Sequence, residues 1–220
     1  MIYLFYEKVK IMSEQSLNFI VMIEIKKDFT DSVYKIIGDF VEAIKHEDGC
    51  LNCECLQPVK NKNLFLCQES WVSIEKATEQ ITKLHVDYLS AVTSGDFFNQ
   101  NVEVSTWLMV SDNEPFFNQN DENFSFLIER KAKKGKEKDI RLFFEKIIDI
   151  SMIETDCLSY CLYTNSLGQD DRFLLIGTWK NKAAWEEHHN AEYLQNFIFR
   201  EQLSLIVDKK PLLQEVKKIL

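Results

Sequence analysis

Two tryptophans, Trp71 and Trp179, each close a short apolar run, and a histidine follows each of them, His85 after the first and His188 after the second. Ahead of them stand two asparagine and glutamate pairs, Asn18 with Glu24 and Asn123 with Glu129. A carboxylate or an imidazole can take a proton, and an amide or indole N–H can donate to the oxygen left behind. Each residue also has a plainer use. A Trp at a strand end packs a core. The Asn side chains can satisfy strand-end backbone groups, and the Glu side chains can sit at wet rims. His85 shares a stripe with Leu84 and Tyr88 and is as readily a satisfied surface histidine. His188 and His189 are adjacent, so at most one of them points inward.

The six cysteines, Cys50, Cys53, Cys55, Cys67, Cys157 and Cys161, offer a second chemistry. Cys50-x-x-Cys53 alone is a weak metal signal, because a zinc site needs a second pair or spaced histidines. Strand alternation sends Cys53 and Cys55 to one face. Buried reduced thiols of an intracellular protein, with no metal, are the expectation.

Those residues need elements to hold them. Asn18 to Lys26 reads as a strand, with Asn18, Ile20, Met22 and Glu24 on one face and Phe19, Val21, Ile23 and Ile25 on the other. Thr30 or Asp31 can cap a helix whose stripe is Val33, Ile36, Ile37, Phe40, Val41 and Ile44. Asp48-Gly49 stops it. A hairpin follows, turning at Pro58 to Asn63 and ending at Trp71. Ser73 can cap a second helix through Ile74, Ala77, Ile81, Leu84, Tyr88 and Leu89, and Val102 to Val110 reads as a last strand. Ser111 to Glu122 is polar, carries Pro115, and is the linker candidate.

The same order then returns. Asn123-Phe124 to Glu129 mirrors Asn18-Phe19 to Glu24. Ile140, Phe143, Phe144, Ile147 and Ile148 mirror the first helix stripe. Thr155 to Trp179 is a second hairpin, and Asn181 can cap a helix carrying Ala184, Trp185 and His188. Leu212 to Val216 is a candidate final strand. Asn18 to Asn123 spans 105 positions, Cys50 to Cys157 spans 107, and Trp71 to Trp179 spans 108, so one unit is used twice. The expected fold class is α+β, two tandem ferredoxin-like β-α-β-β-α-β units. The expected boundaries are an extension over 1–17, a first unit over 18–110, a linker over 111–122 and a second unit over 123–220. Apolar residues such as Ile20, Met22 and Leu127 on the sheet faces away from the helices should pack against the sister repeat.

Composition narrows the partners. The chain has 220 residues, a net charge of −9 and a pI near 5.1, which argues against a nucleic-acid backbone. The basic run Lys131 to Lys138 falls at a strand-to-helix turn and reads as solvated. No stretch approaches the ~20 apolar residues of a membrane span. Ile2 to Tyr6 is too short for a signal-peptide core, and Met12 is an alternative start. A cytoplasmic location is expected.

At the hairpins the pattern resembles a known family. Glu47-x-Gly49-Cys50-Leu51 after a helix, a strand carrying Glu54, a strand ending Glu69-x-Trp71, and then a helix with His85 resemble the antibiotic biosynthesis monooxygenase domain. The second repeat shows Cys157, Leu158, Tyr160, Trp179 and His188. Such domains usually pair into a dimeric α+β barrel, so the resemblance implies an intrachain α+β barrel, a pseudo-dimer within one chain that leaves room for a homo-oligomer. It also implies oxidation of a small phenolic or quinol-type aromatic substrate by dioxygen, with no cofactor. The pocket would deprotonate the substrate, hold its anion by hydrogen bonds and exclude bulk water. Glu24 or His85 would be the base in the first repeat, with Asn18 and Trp71 as donors. His188 would be the base in the second, with Asn123 and Trp179 as donors and Glu129 orienting.

The departures from the family pattern are Gln80 where an earlier histidine often stands, Gly177 where the acid equivalent to Glu69 belongs, and Asp156 in place of Gly49. Two other readings stay open. A related branch binds and degrades haem, but Glu24 and Glu129 stand where that branch places an Asn. A tandem pair with eroded sites could instead serve as a small-molecule-binding or interaction module.

Overall fold

The computed structural model describes residues 17–25, 31–80, 102–117, 120–165, 171–207 and 212–220. The chain is an α+β fold made of tandem ferredoxin-like units. The first runs β1 (Leu17–Ile25), α1 (Asp31–Lys45), β2 (Cys50–Pro58), β3 (Leu64–Trp71), α2 (Ile74–Gln80) and β4 (Val102–Met109). The second runs β5 (Phe124–Lys131), α3 (Glu137–Ser151), β6 (Cys157–Asn165), β7 (Arg172–Trp179), α4 (Lys182–Asn190), α5 (Glu192–Leu205) and β8 (Leu212–Lys218). The described residues form two compact units. One ends at Trp107 and takes back Lys218–Leu220, and the other is Leu108–Lys217. No described helix is long and apolar enough to cross a membrane.

Helical spacing of apolar residues builds the helix faces. In α1, Val33, Ile37, Phe40, Val41 and Ile44 are buried, while Asp39 and Glu42 face solvent. In α3 the buried set is Ile140, Phe143, Phe144, Ile147 and Ile148, closed by Ser151, whose hydroxyl donates to the Ile147 carbonyl. Burying each such side chain is worth ~1.5–3 kcal/mol relative to exposure.

In the first unit β3 lies between β1 and β2, antiparallel to both. The chain's last residues join the far side of β2, through Ile219 N–H to the Cys55 carbonyl at 2.9 Å and Cys55 N–H to the Leu220 carbonyl at 3.1 Å. In the second unit β7 lies between β5 and β6, and β8 pairs with the other side of β5. Both hairpins carry the same irregularity. Cys50 faces Trp71 but Asn52 faces Ser70, and Cys157 faces Trp179 but Ser159 faces Thr178. One extra residue, Leu51 or Leu158, is inserted in each, which is a β-bulge used twice.

Register corrects the repeat alignment. Leu17 faces Trp71 and Phe124 faces Trp179. Ser125, not Asn123, therefore occupies the position of Asn18, and Lys131, not Glu129, that of Glu24. The shared Asn-Phe dipeptide suggested the offset, but the Trp-terminated strands set the pairing, two residues away.

The first part of the linker candidate runs along β6, with Asp112 and Glu114 exposed. Val110 N–H donates to the Leu162 carbonyl, Leu162 N–H to Ser111 Oγ, Asn113 Nδ2 to the Tyr160 carbonyl, and Ser159 Oγ to the Glu114 carbonyl. Its Ser, Asn and backbone groups satisfy a strand that would otherwise carry open donors and acceptors.

Candidate functional site

Strand parity decides which side chains can meet. On β3 of the first unit, Phe65 packs edge-on against Tyr34 of α1, so Phe65, Cys67, Glu69 and Trp71 lie on the helix side. Asn18 pairs with Ser70, which places Asn18, Gln68 and Glu54 on the opposite face. Asn18 and Trp71, proposed together as donors, therefore point to opposite sides of the sheet. Asn18 is buried, and its Oδ1 accepts no hydrogen bond among the described residues. Glu24 is exposed near the end of β1. His85 lies outside the described residues. On the helix side, Trp71 donates from Nε1 to Glu69 Oε2 at 3.0 Å, with both side chains fully buried. Cys53 lies directly across from Glu69. Burial raises the Cys53 thiol far above its ordinary value, and the Glu69 charge adds to that. All six cysteines are free thiols.

In the second unit Asn123 and Glu129 also stand apart from the tryptophan. Asn123 Nδ2 donates to the Lys180 carbonyl at 3.2 Å, tying the strand ends. Glu129 accepts from Arg172 Nε at 2.8 Å in a half-exposed ion pair.

Trp179 and His188 do come together. Trp179 ends β7, and Asn181 caps α4 by accepting from Ala184 N–H at 2.9 Å. Two turns later α4 carries His188 back over the indole, with ring centroids 4.7 Å apart. Phe126 stacks on Trp179 at 5.3 Å, and Tyr160 meets it edge-on at 5.5 Å. A Cβ on Gly177 would lie 2.4 Å from the indole Cζ3, so the ring occupies the space a side chain at 177 would need. Trp179 is fully buried, and its Nε1 hydrogen has no acceptor among the described residues. An unmatched buried donor costs ~1–3 kcal/mol and is a place where a ligand oxygen would be welcome.

His188 is nearly as buried, and its Nδ1 lies 3.0 Å from both carboxylate oxygens of Glu154. The Tyr193 hydroxyl donates to Glu154 Oε1. Burial raises the pKa of the Tyr193 hydroxyl, and the bond to Glu154 raises it further. Cys157 is pushed up to about 12 by burial, with the Glu154 charge a smaller cause. His189 faces away and stacks on Trp185. Desolvation lowers its pKa, and the neighbouring His188 adds to that.

Neither Glu154 nor Tyr193 stands out in the sequence by residue type. A signal for Glu154 was present: Glu154-x-x-Cys157 repeats Glu47-x-x-Cys50. Among the described residues no cluster of three or more His, Cys, Asp and Glu side chains is arranged to hold a metal ion. What the second unit assembles is a buried imidazole backed by a carboxylate, beside an aromatic wall and an N–H donor with no acceptor among the described residues.

A ferredoxin-like tandem with a buried Trp and His on its helix side defines a class, and comparison with known proteins gives the family. The model of the antibiotic biosynthesis monooxygenase domain matches residues 17–83 and 124–199, and the chain belongs to that family. Among solved structures, the Fusobacterium nucleatum "Putative monooxygenase" is similar with a TM-score of 0.71 at 16% identity, over 93% of each chain. A "putative monooxygenase" from Lactobacillus acidophilus gives 0.66 at 15% identity, over 93% of this chain and 94% of its own. An "anthrone oxidase-like protein" gives 0.64 at 9% identity, over 94% of this chain and 93% of its own. At these identities the likeness is one of fold, and it covers 93–94% of this chain. An uncharacterized protein of Synechocystis is 29% identical over 68 residues, which is 31% of this chain and 46% of that protein.

Proposed function

We propose that this protein is a monooxygenase that oxidises a small phenolic or quinol-type aromatic substrate with dioxygen, without metal or flavin, and that its second unit carries the working site. The observation that supports this most directly is the His188–Glu154 pair set against the unmatched indole N–H of Trp179. His188 takes the phenolic proton, which breaks O–H and forms N–H. The Trp179 N–H then donates to the substrate oxyanion. Phe126 and Tyr160 supply an apolar wall that keeps bulk water from the anion. The electron-rich anion reduces dioxygen. One oxygen atom ends on the ring carbon, and the other leaves as water with the one hydrogen that the carbon loses and the phenolic proton held on His188.

The test is oxygen uptake by the full chain with hydroquinones and anthrone-like compounds in metal-free buffer. Uptake is expected for at least one of them, and His188→Ala should lower its rate by ~10²–10⁴, the usual cost of losing a general base. No uptake with any substrate would overturn the reading in favour of a binding module. Uptake indifferent to His188→Ala would remove this histidine as the base.

A further inference from the structure

We propose that Glu154 and Tyr193 are positioning residues that hold His188 in its Nδ1–H tautomer, so that the lone pair that takes the proton lies on Nε2. An ionised carboxylate only accepts hydrogen bonds. With both Glu154 oxygens 3.0 Å from Nδ1, that nitrogen must carry the hydrogen. A neutral imidazole has one N–H, so Nε2 is left as the acceptor. The His188 side chain is 3% exposed, so water has little access to supply a competing partner.

The backbone is shaped for this contact. At about 100° per residue, positions 188 and 193 of one continuous helix would point ~140° apart. The helix instead breaks at Ala191, whose backbone leaves the helical region (φ −57°, ψ 133°), and α5 restarts at Glu192. The break brings the Tyr193 hydroxyl onto Glu154 and within 3.3 Å of His188 Nδ1. Glu154 itself comes from the connection between α3 and β6, 34 residues away in sequence from His188. Two separate segments thus converge on one imidazole nitrogen carried by a third. When Nε2 gains a proton, the adjacent carboxylate offsets the charge of the imidazolium. Nine residues after Trp71, where His188 has its counterpart, the first unit has Gln80 in place of a histidine.

The naming of Nε2 as the base rests on the proposed oxidation, but the tautomer does not, and it can be read without substrate. In the uniformly ¹⁵N-labelled full chain, the imidazole shifts of His188 are assigned by their loss in His188→Gln. The expected spectrum shows a protonated Nδ1 and an unprotonated Nε2. Glu154→Leu should move the ring toward the Nε2–H tautomer that unconstrained histidine favours. Glu154→Gln, whose amide oxygen still accepts, should keep Nδ1 protonated. Tyr193→Phe should keep the tautomer while broadening the His188 signals as the carboxylate loses its tether. A wild-type spectrum with the proton on Nε2 would overturn the proposal, as would an unchanged tautomer in folded Glu154→Leu. Because the wild-type spectrum is itself decisive, failure of the leucine variant to fold would not shield the idea. In oxygen uptake, Glu154→Leu should lower kcat by on the order of 10²-fold, within the range for a misplaced base, with KM little changed.

Discussion

The helix-side ends of the two units solve one packing problem in opposite ways. In the first, Cys53 faces Glu69; in the second, at the same register, Tyr160 faces Gly177. Where the facing residue is small, a carboxylate occupies the space and takes the hydrogen bond of Trp71. Where the facing residue is a tyrosine, there is no side chain at 177, the indole of Trp179 lies over the glycine, and its N–H is left unmatched. The exchange keeps the volume nearly balanced and changes the chemistry. The first unit spends its donor internally, on the Glu69 carboxyl group. The second leaves its donor without an acceptor among the described residues and sets His188 beside it. On the proposed function, duplication under a fixed fold closes one copy and keeps the other for a ligand.

The largest effect should come from putting a side chain back on Gly177. Gly177→Ala places a Cβ 2.4 Å from the indole Cζ3, and the ring is hemmed by Phe126, Tyr160 and His188. Overpacking of this kind costs ~1–3 kcal/mol, and the tight stack argues for the upper end. A chemical unfolding midpoint unchanged from wild type would mean that the indole does not lie where the comparison requires. The reciprocal change is subtler. Cys53→Tyr alone should destabilise the first unit by overpacking, and Glu69→Gly alone should open a cavity and strand the Trp71 donor. Made together they recreate the arrangement of the second unit. The double-mutant cycle should then show a favourable coupling of ~0.5–3 kcal/mol. Simple additivity would show that the two positions do not exchange volume.

How much of this was legible in the sequence follows from the range of each interaction. The stripe Val33, Ile37, Phe40, Val41 and Ile44 was readable, because burial at helical spacing is a local property. The hairpins were readable from their turns and terminal tryptophans. Trp179 and His188 were readable as a pair, because one short capped helix joins them. Asn18 with Trp71 was misgrouped because strand parity becomes meaningful only once the partner is known, and the partner of Trp71 on β1 is Leu17. Asn123 and Glu129 were matched through a dipeptide, whereas pairing shifted the register by two. Glu154 and Tyr193 were missed for a different reason. One sits in a connection and the other just past a helix break, and no local period points either of them at His188.

The smallest difference should also be the most specific. Trp71→Phe and Trp179→Phe remove the same part of the same ring from equivalent, fully buried positions. The lost packing is therefore similar, and what differs is the fate of the N–H. Trp71→Phe takes a donor away from a buried carboxylate, whereas Trp179→Phe removes a donor that nothing described accepts. Losing one partner of a buried hydrogen bond costs ~1–3 kcal/mol, while removing an unmatched polar group relieves a penalty. Trp71→Phe should therefore destabilise its unit by ~1 kcal/mol or more beyond what Trp179→Phe does to its own. Amide hydrogen exchange reads the two units separately. In oxygen uptake the order should reverse, with Trp179→Phe the damaging change, because in the proposed mechanism the unspent donor meets the substrate anion. Equal destabilisation of the two units would show that Trp179 has an acceptor in solution, and the contrast between a closed first unit and an open second one would fail with it.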